Sequence, residues 1–182
     1  MRLKPGQIVK VCKLKGHTFT LRAPRRSDLR QLTRFINSLI RENAMILMDT
    51  PMGIEAERKW LASVLEDIAK RKRIHLVVET EGKLVGSCEI RRYGGKERHV
   101  GSLGISILNG YRDMGLGSLL MKQIIALAKS EKYRLITLEV FAPNARAKHV
   151  YKKLGFRQVG RIPKKLFHKG KYLDSVMMAR PL

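Results

Sequence analysis

The chain predicts an α/β domain: a mixed, mostly antiparallel sheet carrying about four helices. Three observations predict it. Segments with the two-residue period of strands alternate with segments of helical period. The first half is laid out as consecutive strand pairs around short glycine turns. The length, 182 residues with 44% hydrophobic content, suits one well-buried core and is short for two. No linker, internal repeat or low-complexity tract divides residues 1–182, so they read as a single domain with a short N-terminal strand extension over about 1–16.

In order, QIVKVCKL (7–14) and HTFTLRAP (17–24) read as two strands with a turn at Lys15-Gly16. SDLRQLTRFINSLIRE opens with Ser27, an N-cap residue type, and repeats apolar residues at Leu29, Leu32, Ile36 and Leu39/Ile40, the spacing of a helix. A second helix runs from about Ile54 to Arg71, with Trp60, Leu61, Val64, Leu65 and Ile68 on one face. IHLVVET, a turn at Glu81-Gly82, KLVGSCEIRRY, a turn at Gly94-Gly95 and RHVGSLGISIL then form an antiparallel meander. A helix over 115–130, the strand RLITLEVFA, a helix over 144–154 and the strands RQVGRIPKKLFHKG and KYLDSVMMAR complete the chain.

Composition narrows the function classes. The 38 Lys+Arg residues against 15 Asp+Glu leave +23 and a sequence pI near 10.6, a field that favours anionic partners: nucleic acid, an acidic protein surface or a phosphorylated cofactor. A lysine-rich solvated surface is the plainer alternative, because the basic residues are spread along the chain. No run approaches the roughly 18 apolar residues of a membrane span, and MRLKPGQIVK lacks the apolar stretch of a signal peptide, so a cytoplasmic protein without membrane association is expected. Cys12 and Cys88 show neither CxxC nor paired histidine spacing, which points away from a disulfide framework or a metal site. Cys88, in VGSCEI, reads as core packing.

The stretch YRDMGLGSLLM, residues 111–121, is the most informative. A helix N-terminus offers unpaired N–H groups and a positive dipole end, and glycines let an anion approach the backbone. Gly115 and Gly117 fit that task, with Arg112 adding charge. A phosphate-binding NTPase loop would need Lys-Ser/Thr after its glycines, and Ser118-Leu119 stands there. A dinucleotide-binding turn would want a third glycine where Leu120 stands. A helix start with flexible glycines and no ligand is the remaining alternative for the loop by itself.

The loop has company. Arg112-Asp113-Met114-Gly115-Leu116-Gly117 has the form Gln/Arg-x-x-Gly-x-Gly/Ala, and NARAKHVYKKLGF downstream places Asn144, Ala147, Tyr151, Gly155 and Phe156 in a second spaced pattern. In these two motifs, residues 98–181 resemble the GNAT superfamily of acetyl-CoA-dependent N-acetyltransferases. HVGSLGI and GKYLDSVMMA look like the branch with phosphinothricin and amino-acid N-acetyltransferases, while LEVFAPNARA resembles the ribosomal-protein-alanine N-acetyltransferases. The resemblance implies a sheet whose fourth and fifth strands, in the family's count, splay apart. It implies acetyl-CoA as cosubstrate, its pantetheine arm on Ile105, Ser106 and Ile107 and its pyrophosphate on Arg112, Asp113, Met114, Gly115, Leu116, Gly117 and Ser118, with Asn144 and Tyr151 completing the site.

The same resemblance places Tyr151 to protonate the leaving thiolate and matches Glu139 to a base. The residues alone equally allow a core aromatic and a cross-strand salt bridge. Glu42, Glu89 and His99 are further candidates for the base. Asp113 is a departure, since a carboxylate beside a diphosphate is unfavourable; its side chain is expected to face solvent. The expected acceptor is a primary amine, most simply the α-amino group of an amino acid or protein N-terminus, taken in a ternary complex by a monomer or homodimer. A basic module binding nucleic acid or the ribosome is the alternative reading. The loop IRENAMILMDTPMG, residues 40–53, contributes to the acceptor side and carries no decodable motif.

Overall fold

The computed structural model describes residues 3–182, so the first two residues of the expected N-terminal extension lie outside it. The rest of that extension forms β1 (Ile8–Leu14), which pairs antiparallel with β2 (His17–Arg22). Lys15 and Gly16 both have positive φ, 46° and 83°, as a two-residue hairpin turn requires, and Glu81-Gly82 and Lys169-Gly170 repeat the device. After β2 come α1 (Leu29–Arg41), α2 (Ile54–Ala69), β3 (Arg73–Thr80), β4 (Lys83–Arg92) and β5 (Val100–Ile107). The second half supplies α3 (Leu116–Ser130), β6 (Leu135–Phe141), α4 (Ala145–Lys153), β7 (Arg157–His168) and β8 (Lys171–Pro181).

The strands form one sheet in the order β1-β2-β3-β4-β5-β6-β8-β7. Every neighbouring pair is antiparallel except β5 and β6, which run parallel. That parallel ladder is short: Val100 pairs with Leu135, Gly101 with Ile136 and Ser102 with Thr137, and there it stops. The remainder of β5, from Leu103 on, and of β6, from Leu138 on, diverge. The expected splay is present, between the fifth and sixth strands of this chain because β1 adds one at the edge.

The two faces of the sheet are covered differently. Leu76, Val78, Cys88 and Ile90 belong to the main core with Leu120, Met121, Ile124 and Ile125 of α3. On the opposite face, Leu32 of α1 and Leu61 of α2 pack on Val77 and Leu84. The apolar stripe of α2 is as its spacing predicts at Leu61, Val64 and Ile68, but the same stripe buries Glu57 one turn earlier.

Helix α1 is anchored by charge. Ser27 does not cap it: residues Arg26–Asp28 form a 3-10 turn, and α1 begins after Asp28. The Asp28 carboxylate, 1% exposed, accepts the Arg25 N–H at 2.8 Å and two hydrogen bonds from the Arg22 guanidinium at 2.7 and 2.8 Å. Arg22 also donates to Glu79 of β3 at 2.9 and 2.6 Å. This buried cluster fixes the start of α1 to β2 and β3. The expected Gly94-Gly95 hairpin is instead a longer connection with a 3-10 turn at Gly95–Glu97, so β5 begins at Val100 rather than at Arg98.

Candidate active site

Where β5 and β6 part, a cleft of about 1030 Å³ opens across the sheet. Its floor is the free edge of β5. The bonds Tyr93 N–H to Val100 C=O (3.1 Å) and Leu108 N–H to Val85 C=O (2.9 Å) set the parity of the β4–β5 ladder. By antiparallel alternation, the backbone groups of Ser102, Gly104 and Ser106 turn to β4, and those of Leu103, Ile105 and Ile107 turn to the gap. The unpaired edge expected near Ser106 or Ile107 is therefore carried by Ile105 and Ile107, whereas Ser106 presents only its side chain. The Ile107 carbonyl already accepts Arg112 Nε at 2.7 Å, which leaves the Ile107 N–H facing the gap.

Beyond β5 the chain turns through positive φ at Gly110 (88°), Asp113 (62°) and Gly115 (81°) and enters α3. The first helical bond is Leu119 N–H to Gly115 C=O at 3.0 Å, so the N–H groups of Leu116, Gly117 and Ser118 have no acceptor within the helix. Open space surrounds Gly115, and a Cβ on Gly117 would lie 3.3 Å from Ile107 Cδ1, so a side chain would crowd the junction of strand edge and helix start. Such an arrangement can cradle an anion on backbone groups. Arg112, Asp113, Gly115, Gly117 and Ser118 line the cleft; Leu116 is buried in the core and Met114 packs against it, so these two can serve only through their backbone.

Two charged residues of this loop have partners that the sequence does not show. Arg112 is not a free cation: besides Ile107 it pairs with Glu42 at the end of α1, so it pins the loop to that helix. Asp113 does face outward, but its carboxylate is 3.1 Å from Arg146 Nη2 in the first turn of α4. That pairing offsets the repulsion a carboxylate would impose on a diphosphate.

Asn144 caps α4, its side-chain oxygen accepting the Ala147 N–H at 3.1 Å, and so sets the direction of the helix that carries Tyr151. Tyr151 is 8% exposed and lines the cleft; burial holds its phenol well above the ordinary range. Cys88 is fully buried with its thiol pushed up by burial, as core packing predicts. Glu139 faces the cleft from β6 and accepts Lys165 Nζ at 2.5 Å and Ser175 Oγ at 2.9 Å. The Lys165 contact holds its carboxyl below the usual range. Glu89 reaches the cleft from β4, beside Gly104, and is held by Arg73 at 3.1 Å and Arg91 at 3.4 Å. His99 is exposed and does not line the cleft, which removes it from the candidates for the base.

The far wall, built by α1, α2 and the 42–53 connection, holds two residues the sequence reading missed. His75 of β3 is 1% exposed and lines the cleft. Its Nε2 lies 2.8 Å from Ser87 Oγ, its ring meets Trp60 edge-on at 5.7 Å, and burial lowers its pKa to about 4. Glu57, 4% exposed, opens into the same wall beside apolar residues of α1 and the connection. The available signal for Glu57 was its place on the 57-61-64-68 stripe of α2, where a carboxylate is out of keeping. For His75 there was only its place beside the apolar run Leu76-Val77-Val78 of β3.

Residues 40–156 match the Acetyltransferase (GNAT) family. The chain is 27% identical over 157 residues to phosphinothricin N-acetyltransferase of Streptomyces coelicolor, covering 85% of this chain and 91% of that protein. It is 34% identical over 118 residues to the L-amino acid N-acetyltransferase AaaT of Escherichia coli, covering 63% of this chain and 73% of the relative. The crystal structure of ribosomal-protein-alanine N-acetyltransferase from Brucella melitensis superposes with a TM-score of 0.79 at 25% identity, covering 89% of this chain and 99% of that one. Both branches suggested by the sequence motifs are thus represented among its relatives. The family match spans the splayed strands, the glycine loop and the Asn144–Tyr151 helix, and with these relatives it establishes that the chain belongs to the acetyltransferase (GNAT) family.

Proposed function

We propose that this N-acetyltransferase moves the acetyl group of acetyl-CoA directly onto the α-amino group of an amino acid or a protein N-terminus, in a ternary complex. One observation carries the reading: the free edge of β5 adjoins the backbone donors at the start of α3, in the cleft that Tyr151 also faces. That adjacency suits a ligand with an amide-bearing arm followed by a diphosphate. Acetyl-CoA supplies the activated thioester.

The chain's own groups supply the rest. The N–H groups of Leu116, Gly117 and Ser118 hold the diphosphate at the positive end of α3. Ile105 and Ile107 bind the arm, and the Ile107 N–H is placed to steady the oxyanion formed as the amine attacks. Burial keeps the Tyr151 phenol protonated, so it donates to the departing sulfur; full proton transfer to a thiolate is uphill, and its chief contribution is to stabilise the leaving charge. Glu139 remains ionised near neutrality and takes the amine proton through water once Lys165 gives way. Glu89 is the second reading for this base, because it is the carboxylate next to Gly104 on the strand that holds the arm.

An α-amine is favoured by proton cost. Neutralising an amine of pKa about 10.4 at pH 7 costs roughly 4.6 kcal/mol, against about 1.4 kcal/mol for one near 8. Relatives named as L-amino acid and ribosomal-protein-alanine N-acetyltransferases support the same class. The test is thiol release from acetyl-CoA against a panel of amino acids, N-terminal peptides and polyamines. We expect α-amines to lead, and Tyr151→Phe to lower kcat about 100-fold, within the usual range for an acid–base group, with acetyl-CoA affinity unchanged. Polyamines leading the panel, or a Tyr151→Phe variant at full rate, would overturn the assignment.

A further inference from the structure

Among the described residues, five carboxylates line the cleft, and four of them have a cation. Glu42 pairs with Arg112, Glu89 with Arg73 and Arg91, Asp113 with Arg146, and Glu139 with Lys165. Glu57 has no ion pair or hydrogen bond from its side chain, although at 4% exposure it is the most buried of the five. In a chain with 38 Lys+Arg residues, scarcity of cations is no explanation.

The arrangement is costly as it stands. A buried carboxylate without a partner forfeits hydration, and its position in the first turn of α2 returns only a small part of that through the helix dipole. Burial accordingly raises its pKa. Phe35 and Leu39 of α1, Met52 and Trp60 line the same cleft. Its remaining exposure is to the cleft, so a partner must arrive from there.

Geometry separates this point from the reacting centre. Trp60, one turn along α2, packs on His75 of β3, and β5 lies two strands further across the sheet. At about 4.8 Å per strand, β3 and β5 are on the order of 10 Å apart, and Glu57 stands off the sheet on α2. We propose that Glu57 binds a second cationic group of the acceptor, an ammonium or guanidinium on an arm that leads away from the amine that is acetylated. This rests on the transfer reading of the same cleft and narrows its substrate to α-amines with a basic side chain, free or at a peptide N-terminus. The +23 field opposes such a substrate at long range, but it is screened over about a Debye length, whereas Glu57 acts at contact inside a desolvated wall.

The test compares arginine with citrulline, which keeps the shape and loses the charge, each as free acid and as amide. For the wild type we expect arginine to exceed citrulline about tenfold or more in kcat/KM, mainly through KM, the size of a charge-assisted hydrogen bond. In Glu57→Gln the ratio falls to within about twofold of one. A wild-type ratio near one, or a preference that survives Glu57→Gln, overturns the proposal. Calorimetry of argininamide against citrullinamide on the CoA-loaded protein keeps the question separate from catalysis. If no amine is acetylated, the transfer reading fails, while tighter argininamide binding that is lost in Glu57→Gln still supports the site and equal binding of the two amides still overturns it. Loss of an unpaired buried charge should also raise the melting temperature of Glu57→Gln, so misfolding is not the expected confounder.

Discussion

The two sides of the cleft are built from different materials. On the side proposed for the cofactor, the open edge of β5 and the start of α3 offer backbone N–H and C=O groups, and the shape depends on Gly115 at φ 81° and on the lack of a side chain at Gly117. On the side proposed for the acceptor, α1, α2 and the face of β3 and β4 present side chains: Trp60, His75, Ser87, Glu57 and Glu89. Backbone recognition constrains residue type, because few residues permit it. Side-chain recognition leaves many solutions on the same helices. One side is therefore written as a motif and the other is not.

The comparison breaks first at the anchor of the acceptor side. The Asp28 carboxylate, buried between the 3-10 turn, β2 and α1, neutralises Arg22, which is 3% exposed. Asp28→Ala leaves the buried Arg22 guanidinium with Glu79 as its remaining carboxylate and strands the Arg25 N–H, and should cost about 3 kcal/mol in urea unfolding. A loss under about 1 kcal/mol would mean that α1 is held by apolar packing alone.

His75 gives the next largest effect and one with a pH signature. Its folded pKa of about 4 lies below the unfolded value near 6.5, so between these the unfolded chain binds the extra proton. Stability from this group is complete above about pH 6.5 and is lost as pH falls toward 4, by on the order of 3 kcal/mol at 1.36 per unit. The groups facing the ring are Glu89, Arg73 and Ser87, with Trp60 from α2. Unfolding measured at pH 7 and 4.5 should show wild type losing more stability than His75→Gln. Equal losses would place the imidazole in contact with water rather than in the wall.

Much of the architecture was legible because it rests on local rules. The X-Gly turns at Lys15-Gly16 and Glu81-Gly82, the apolar stripe of α2 and the glycine loop each follow from backbone preference or periodicity. The failures are tertiary. Ser27 is a good cap by type, but Asp28 starts the helix because Arg22 comes to it from β2. Arg112 looks like a free cation beside the glycines until Glu42, 70 positions away in sequence, is brought against it. Met114 and Leu116 fall inside the motif, yet their side chains belong to the core. Glu57 and His75 sit at positions whose pattern reads as apolar, and only the fold shows that those positions border a cleft.

The most direct test of the account is calorimetric titration of acetyl-CoA into wild type, Gly117→Val and Glu57→Gln, each checked for folding by circular dichroism. If the cofactor side works through a glycine-shaped backbone and the acceptor side through separate side chains, Gly117→Val should weaken acetyl-CoA at least tenfold, about 1.4 kcal/mol, and Glu57→Gln should bind it as wild type does. A folded Gly117→Val variant with wild-type affinity would contradict the assignment of the cradle, and with it the division of the cleft.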